Sequence, residues 1–544
     1  MFGLASSLAC VTAAHRLSAT FDEPVYLEKG LEAWHTGSHH GLIRLGTMPL
    51  PADMQTLPLY LAERWRGQPW DLQRDFRLLL PWFRLGTLAF WWILLVYALR
   101  IGRALAGRWG GRLAVALVAC EPNLLAHAGL ATADLAVTAC LVALVFHFRA
   151  SRTAPWLSRV GLPMLWFALA LLTKSSGLVF GPLCMLVVEL ERLGRLPREQ
   201  WLGWAPALRS LARDGAQIAL GGLAIAFVYC GSDFQPEPTF VAWAHRLPEG
   251  GWKTTMVWVA ENLRIFSNAG EGLVRQIKHN LHGHGTYLLG AVSDRSFWYY
   301  FPVLLSIKLP AALLLLTAAL LVLRPRSLGN WAALLAAVLV LFSLTCRVQI
   351  GIRLVLPLVA LACVGVAAAL TRTVREAAAG WPRRLFAAAG GGAVVWMAMA
   401  CILGWPHGLS YINELWGGLH RGYRLVGDSN YDWGQGLPEL AEWHRAHPDA
   451  SLAVWYFGTD PSVEQLDLHP VKLHDLPIER PEDVPHFLHE RLAAVSTSLV
   501  YGHSLGETQR RASEFFRHRR PIDHTTTFLI YDLGGDASAR ARTE

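Results

Sequence analysis

The residues best suited to chemistry in this chain of 544 are few and widely spaced. Asp22 and Glu23 are adjacent, follow an apolar segment and precede Pro24. Adjacent carboxylates at a membrane surface can hold a divalent cation, or one can act as a general base. The same stretch also reads structurally, because Thr20-x-x-Glu23 is a capping box and Pro24 suits a first helical turn. Asp134 lies in the apolar run Leu130-Ala-Thr-Ala-Asp-Leu-Ala-Val. A charge within hydrocarbon costs roughly 2.5–3.5 kcal/mol on insertion scales, so Asp134 is a functional candidate unless it sits in an aqueous turn beside Glu121. Lys174 is one of only six lysines among 49 basic residues, and Thr173, Ser175 and Ser176 surround it. Such a lysine suits a phosphate, or snorkels to the interface. Arg84 lies inside an apolar run, and Arg347 and Arg353 flank Val348-Gln-Ile-Gly-Ile352. Each implies either an anionic ligand or a carboxylate partner. Lys278-His-Asn-Leu-His-Gly-His284 holds three histidines that could help bind a metal, although the spacing alone favours a solvated loop. Asp432, Trp433 and Gln435 precede a helical segment at 436–446, which Asp432 could cap.

The elements that must position these residues are set by an unusual composition. Hydrophobic residues make up 53% and charged residues 17%, against roughly 25% charged in an average globular chain. Eleven segments are apolar enough to be membrane helices: 2–20, 78–99, 113–128, 130–148, 156–172, 175–190, 215–230, 297–323, 329–346, 353–370 and 385–404. The first lacks a small-residue cleavage site and reads as an anchor. Arginines crowd alternate loops: 100–112, 149–159, 192–213, 324–326 and 372–384, with Arg198 among them. The positive-inside rule puts these loops and the N-terminus in the cytoplasm. The formal charge of +8 is thus topogenic, and a nucleic-acid partner is excluded. The eight cysteines show no paired spacing and read as small buried hydrophobes. The other side carries loops at 21–77 and 231–296 and a tail from 405 to 544. In the tail, 453–458, 499–501 and 527–531 read as strands, and 436–446 and 504–517 as helices. The aromatic run Phe297-Trp-Tyr-Tyr-Phe301 reads as an interfacial belt. The expected fold is a polytopic α-helical membrane protein, residues 1–404, with a C-terminal α/β domain, residues 405–544, on the outer (periplasmic) face.

Several motifs together resemble a known family. They are Asp22-Glu23-Pro-x-Tyr26-x-x-x-Gly30, Thr132-x-Asp134, Leu172-Thr-Lys174, Gly283-His-Gly-Thr-Tyr-Leu-Leu-Gly290 leading into Trp298-Tyr-Tyr-Phe-Pro302 and Lys308-x-Pro310, Ile350-Gly-Ile-Arg353 with Leu356-Pro357, Leu409-Ser-Tyr-Ile-Asn-Glu414, and Asp428-Ser-Asn-x-Asp-Trp-Gly-Gln435. In this order they resemble the bacterial phospholipid-carrier-dependent glycosyltransferases of family 39, the protein O-mannosyltransferase and aminoarabinose-transferase group with a GT-C fold. The resemblance implies an inner-membrane enzyme that takes a sugar from a polyprenyl phosphate and transfers it, with inversion, to an acceptor hydroxyl outside the membrane. It implies Asp22 as the base, with Glu23 and Asp134 as further catalytic acids. Lys174, Arg353, Arg84 and Arg347 are then candidates for the lipid phosphate, and Glu23 and His284 for a divalent metal or for acceptor positioning. The sugar, the acceptor and the role of the Asp432-Trp433-Gly-Gln435 motif stay open. A lipid or anionic-solute transporter or flippase is the competing reading. It predicts inverted repeats that this sequence lacks.

Overall fold

The computed structural model describes residues 1–534 apart from 196–203, 233, 263, 265–267, 489 and 504–505. Arg198 and the first residues of the expected 504–517 helix lie outside them. Among the described residues, four helical segments are long and apolar enough to cross a membrane: Phe76–Ala119, Ala205–Cys230, Ile352–Glu376 and Trp381–Gly404. A fifth counts if the bent pair Tyr300–Lys308 and Ala311–Leu323 is one span, and Phe2–Ala14, Leu157–Thr173 and Trp331–Ser343 are shorter apolar helices.

Local chemistry explains where the expected segments differ. Phe76–Ala119 is not straight: Gly107 takes φ 75°, a left-handed conformation that costs glycine little, and the arms fold back so that Gly102 meets Gly110. The expected span 113–128 ends at Ala119, because Pro122 starts a separate short helix, Pro122–Ala128. The expected span 297–323 bends by 112°, where Leu309 is forced into extended geometry ahead of Pro310. Thr87–Ala119, Asp134–Ala150 and Leu356–Glu376 pack together as the centre of the apolar core.

The arginine-rich loops gather at one end. Arg149 pairs with Glu191 at 2.9 Å, and Arg152 with Glu189 and Asp214, each at 3.2 Å. Arg195 donates to Gly329 O, and Arg372 to Leu105 O. The loops expected at 21–77 and 231–296 carry short elements: helices Glu23–Thr36 and Pro49–Arg66 in the first, and Ala269–His282 plus a hairpin of β1 (Thr286–Leu288) and β2 (Ala291–Ser293) in the second.

The tail holds β3 (Leu452–Trp455), β4 (His469–Pro470), β5 (Leu492–Ser496), β6 (Asp523–His524) and β7 (Phe528–Asp532) in the order β4-β3-β5-β7-β6. β3 is parallel to β4 and β5, and β7 is antiparallel to β5 and β6. The strand expected at 499–501 is instead Leu492–Ser496, and Leu499 and Val500 end a single helical turn, Thr497–Val500. Helices Leu437–Ala446 and Glu507–Arg517 lie where the pattern put them.

Candidate active site

Asp22 and Glu23 point apart. Each step along a helix turns about 100°, and the helix begins at Glu23 behind Asp22. Glu23 turns inward, is 0% exposed and receives Arg84 through Nε at 2.8 Å and Nη2 at 2.7 Å. It also accepts the N–H groups of Thr20 and Ala131. Burial pushes the Glu23 carboxyl up, but the Arg84 charge and its hydrogen bonds outweigh this and hold it below the usual range. The remaining Arg84 donors go to the carbonyls of Ala14, Leu17 and Ser18. Arg84 is therefore spent on the fold and has no donor left for a lipid phosphate, and Glu23 has no free oxygen for catalysis or a metal.

Asp22 turns outward. Its Oδ2 lies 3.2 Å from Arg353 Nη1, and the same Nη1 is 3.7 Å from Asp134 Oδ2. Asp134 Oδ1 receives Lys174 Nζ at 2.5 Å. Four residues from four separate segments thus form one chain of contacts: Asp22, Arg353, Asp134, Lys174. Both oxygens of Asp134 face cations, so Asp134 holds Lys174 and Arg353 in place instead of acting as a base. The Arg353 guanidinium lies 4.1 Å from the Trp433 ring centre, a cation–π contact that fixes its plane. Gly351 brings this loop against the tail, where a Cβ would collide with Ser429 Oγ. Ile352 N donates to Asn430 Oδ1 at 2.9 Å, and the Ser429 hydroxyl to Ile350 O.

Some buried polar atoms without protein partners lie on or next to these segments. Among the described residues, Arg353 Nε, Thr132 Oγ1, Ser175 Oγ and both His127 ring nitrogens are buried and make no hydrogen bond. Leaving a buried donor unpaired costs about 1–3 kcal/mol, so such a group needs a reason. Arg353 and Lys174 carry positive charge, and Ser175 and Thr132 carry hydroxyls; together they suit a phosphate.

The tail motif completes the site. Phe21 N donates to Trp433 O at 2.8 Å, Ser18 N to Gln435 O at 3.1 Å, and Ser18 Oγ to Gly434 O at 2.9 Å. Gln435 accepts Trp433 N and donates to Tyr431 O. Asp432 does not cap the helix at 437. It accepts from Gly434 N, Ser498 N and Thr497 Oγ1, and burial pushes its carboxyl up to about 6.

Two cavities meet at Phe21 and Asp22. One, of about 280 Å³, is also lined by Arg353, Asp428, His279, His284 and Trp433. The other, of about 370 Å³, is more open and runs past Glu28, Leu72, Gln73 and Thr459.

Crystal structures to which the chain is similar include two of one protein. These are ArnT from Cupriavidus metallidurans in the apo state (14% identity, TM-score 0.47) and the same protein bound to undecaprenyl phosphate (12% identity, TM-score 0.47). Each alignment covers 97% of this chain and 96% of that one. No family model and no curated relative matches.

The remaining expectations are placed as follows. His284 reaches the smaller cavity with His279, their rings 5.8 Å apart, while His282 is exposed. Among the described residues no three His, Cys, Asp or Glu side chains group to hold a metal ion, and the carboxylates expected to do so are taken by Arg84, Arg353 and Lys174. Arg347 is exposed and donates to Leu281 O. Three residues near the site were given no role by the sequence. Tyr26 lies one turn beyond Asp22, within reach of the charges of Asp22, Arg353 and Asp134. Its i, i+4 spacing from Asp22 was the available signal. His127 had none, being one histidine in an apolar run. Asp428 stood inside a quoted motif, but its position in the cavity depends on long-range folding.

Proposed function

We propose that this protein is a polytopic membrane glycosyltransferase that moves a sugar from a polyprenyl phosphate to an acceptor hydroxyl on the outer face. The observation that carries this is the contact chain Asp22–Arg353–Asp134–Lys174, with two cavities opening on Asp22. A base at the junction of two compartments is what a transfer between two substrates needs.

The donor phosphate binds Arg353 and Lys174, with Ser175 and Thr132 supplying hydroxyls. The sugar occupies the smaller cavity, which Arg353 borders, and the acceptor enters by the open cleft. The Asp22 carboxylate takes the proton of the acceptor hydroxyl. The oxygen attacks the anomeric carbon from the face opposite the phosphate, so the configuration inverts. The bond from the anomeric carbon to the phosphate oxygen breaks, and its electron pair leaves with polyprenyl phosphate. The two cations stabilise that charge in a site largely screened from water. The phosphate ester carries the activation, and no nucleotide is required.

Full-length protein in nanodiscs, given a radiolabelled polyprenyl-phosphate sugar and envelope acceptors, tests the assignment. Asp22→Asn should lower turnover by about 10²-fold or more while the protein keeps its fold. Unchanged transfer in that variant would overturn the role of Asp22, and solute or lipid movement without sugar transfer would favour the transporter.

A further inference from the structure

We propose that Asp428 is a sugar-recognition residue, its Oδ2 accepting hydrogen bonds from hydroxyls of the sugar held in the cavity beneath the tail. This rests on the proposed transferase and goes further, because it makes the tail part of donor specificity.

The geometry is that of a side chain held for a partner. Asp428 takes φ 55°, a left-handed conformation that non-glycine residues seldom adopt and that tends to persist at functional sites. Its backbone is bonded on every side. Its N–H donates to Ser498 Oγ at 3.0 Å, and its C=O accepts the N–H groups of Tyr431 and Asp432. Its Oδ1 accepts Ser429 N–H at 2.5 Å. The other oxygen, Oδ2, accepts no hydrogen bond among the described residues, and the carboxyl forms no ion pair there, although Arg353 lines the same cavity. Ser429 and Asn430, its neighbours, bond the loop that carries Arg353. The phosphate-binding cation and this free carboxyl are therefore fixed relative to one another, as the two ends of a sugar phosphate require.

The surroundings fit a carbohydrate. Trp433, Phe457, Tyr287, Tyr300 and His284 line the cavity with aromatic rings, and it is near the lower end of ligand-pocket sizes. A carboxylate is the side chain that accepts from two neighbouring hydroxyls at once. Burial raises the Asp428 carboxyl above its ordinary range against the opposing pull of Arg353.

The test measures binding to full-length protein in nanodiscs. The probes are bare polyprenyl phosphate and polyprenyl phosphates carrying glucose, mannose, galactose or xylose. The wild type should bind at least one sugar-bearing lipid more tightly than the bare one. Asp428→Asn and Asp428→Ala should each reduce that preference about tenfold or more, the loss of a charge-assisted hydrogen bond. Bare polyprenyl phosphate should bind both variants within twofold of the wild type, which also reports that they fold. Arg353→Gln should weaken every probe. A sugar preference that survives both Asp428 variants, or equal weakening of the bare lipid, overturns the assignment. A wild type that binds all probes without preference removes the sugar site alone. A wild type that binds none of them removes the transferase reading with it.

Discussion

Two adjacent acids illustrate how little the type of a residue says about its task. Asp22 and Glu23 have the same chemistry and the same sequence neighbours, yet one faces two cavities and the other is sealed against Arg84. The sequence showed both the capping pattern around Glu23 and the catalytic potential of the pair. It could not divide them, because the partner of Glu23 lies 61 residues further along the chain. The same limit applied to Arg84, which read equally well as a phosphate ligand or as half of an ion pair. Removing one member of a buried pair leaves an uncompensated charge and costs about 3–5 kcal/mol. Glu23→Gln should therefore lower thermal stability strongly, and so should Arg84→Met, whereas Asp22→Asn should barely move it while abolishing transfer. Denaturation of the three variants in one detergent checks this. If Asp22→Asn were the most destabilised, the division of labour between the two acids would be wrong.

At the level of elements, the segment from Asp428 to Gln435 joins the tail to the membrane helices. It supplies the Trp433 ring to Arg353 and accepts the backbone N–H groups of Ser18 and Phe21. Its motif was visible in the sequence, but a bracket between two distant loops leaves no periodic trace, so its role could not be read. Strand β5 was missed for a related reason. Leu-Ala-Ala-Val-Ser is buried on both faces over most of its length, so it neither alternates nor is rich in β-branched residues. The strand at β3 and the helix at Glu507–Arg517 were legible because their apolar patterns are strong. Asp432 gives this bracket a pH signature. Its carboxyl titrates at about 6 in the fold, against 3.8 ordinarily. Between those values the folded protein binds more protons than the unfolded chain, so stability falls as pH rises from about 4 to about 6 and levels off above. The expected loss is on the order of 2–3 kcal/mol. Asp428 acts in the same sense, so the comparison must isolate Asp432. Melting curves of the wild type and Asp432→Asn from pH 4 to 7 should converge or cross, with the variant flatter across this interval. Parallel curves would mean that the Asp432 carboxyl does not hold its proton.

The whole molecule separates two kinds of charge. Helix Asp134–Ala150 has the acid of the site at one end and Arg149, in the arginine cluster, at the other. Its 17 residues span about 25 Å. The loops around Leu105, Arg152, Arg195, Gly329 and Arg372 meet at the arginine end, and Asp22, Lys174, Arg353 and the tail meet at the other. This is the division that alternate basic loops imply, although the number of membrane-crossing segments was legible only coarsely, since bends at Gly107 and Leu309–Pro310 break the apolar runs. If the arginine end is cytoplasmic, the site and the tail face the outside. All eight native cysteines are buried or half-buried, so a cysteine placed on the surface can be labelled against a quiet background. Glu464 in the tail and Arg108 in the arginine end are both exposed. In intact cells with a permeable outer envelope, a membrane-impermeant maleimide should label Glu464→Cys at once. It should label Arg108→Cys only after the inner membrane is opened. The reverse pattern would put the acids and the tail in the cytoplasm, where a lipid-linked donor with no nucleotide would have no advantage over a nucleotide sugar.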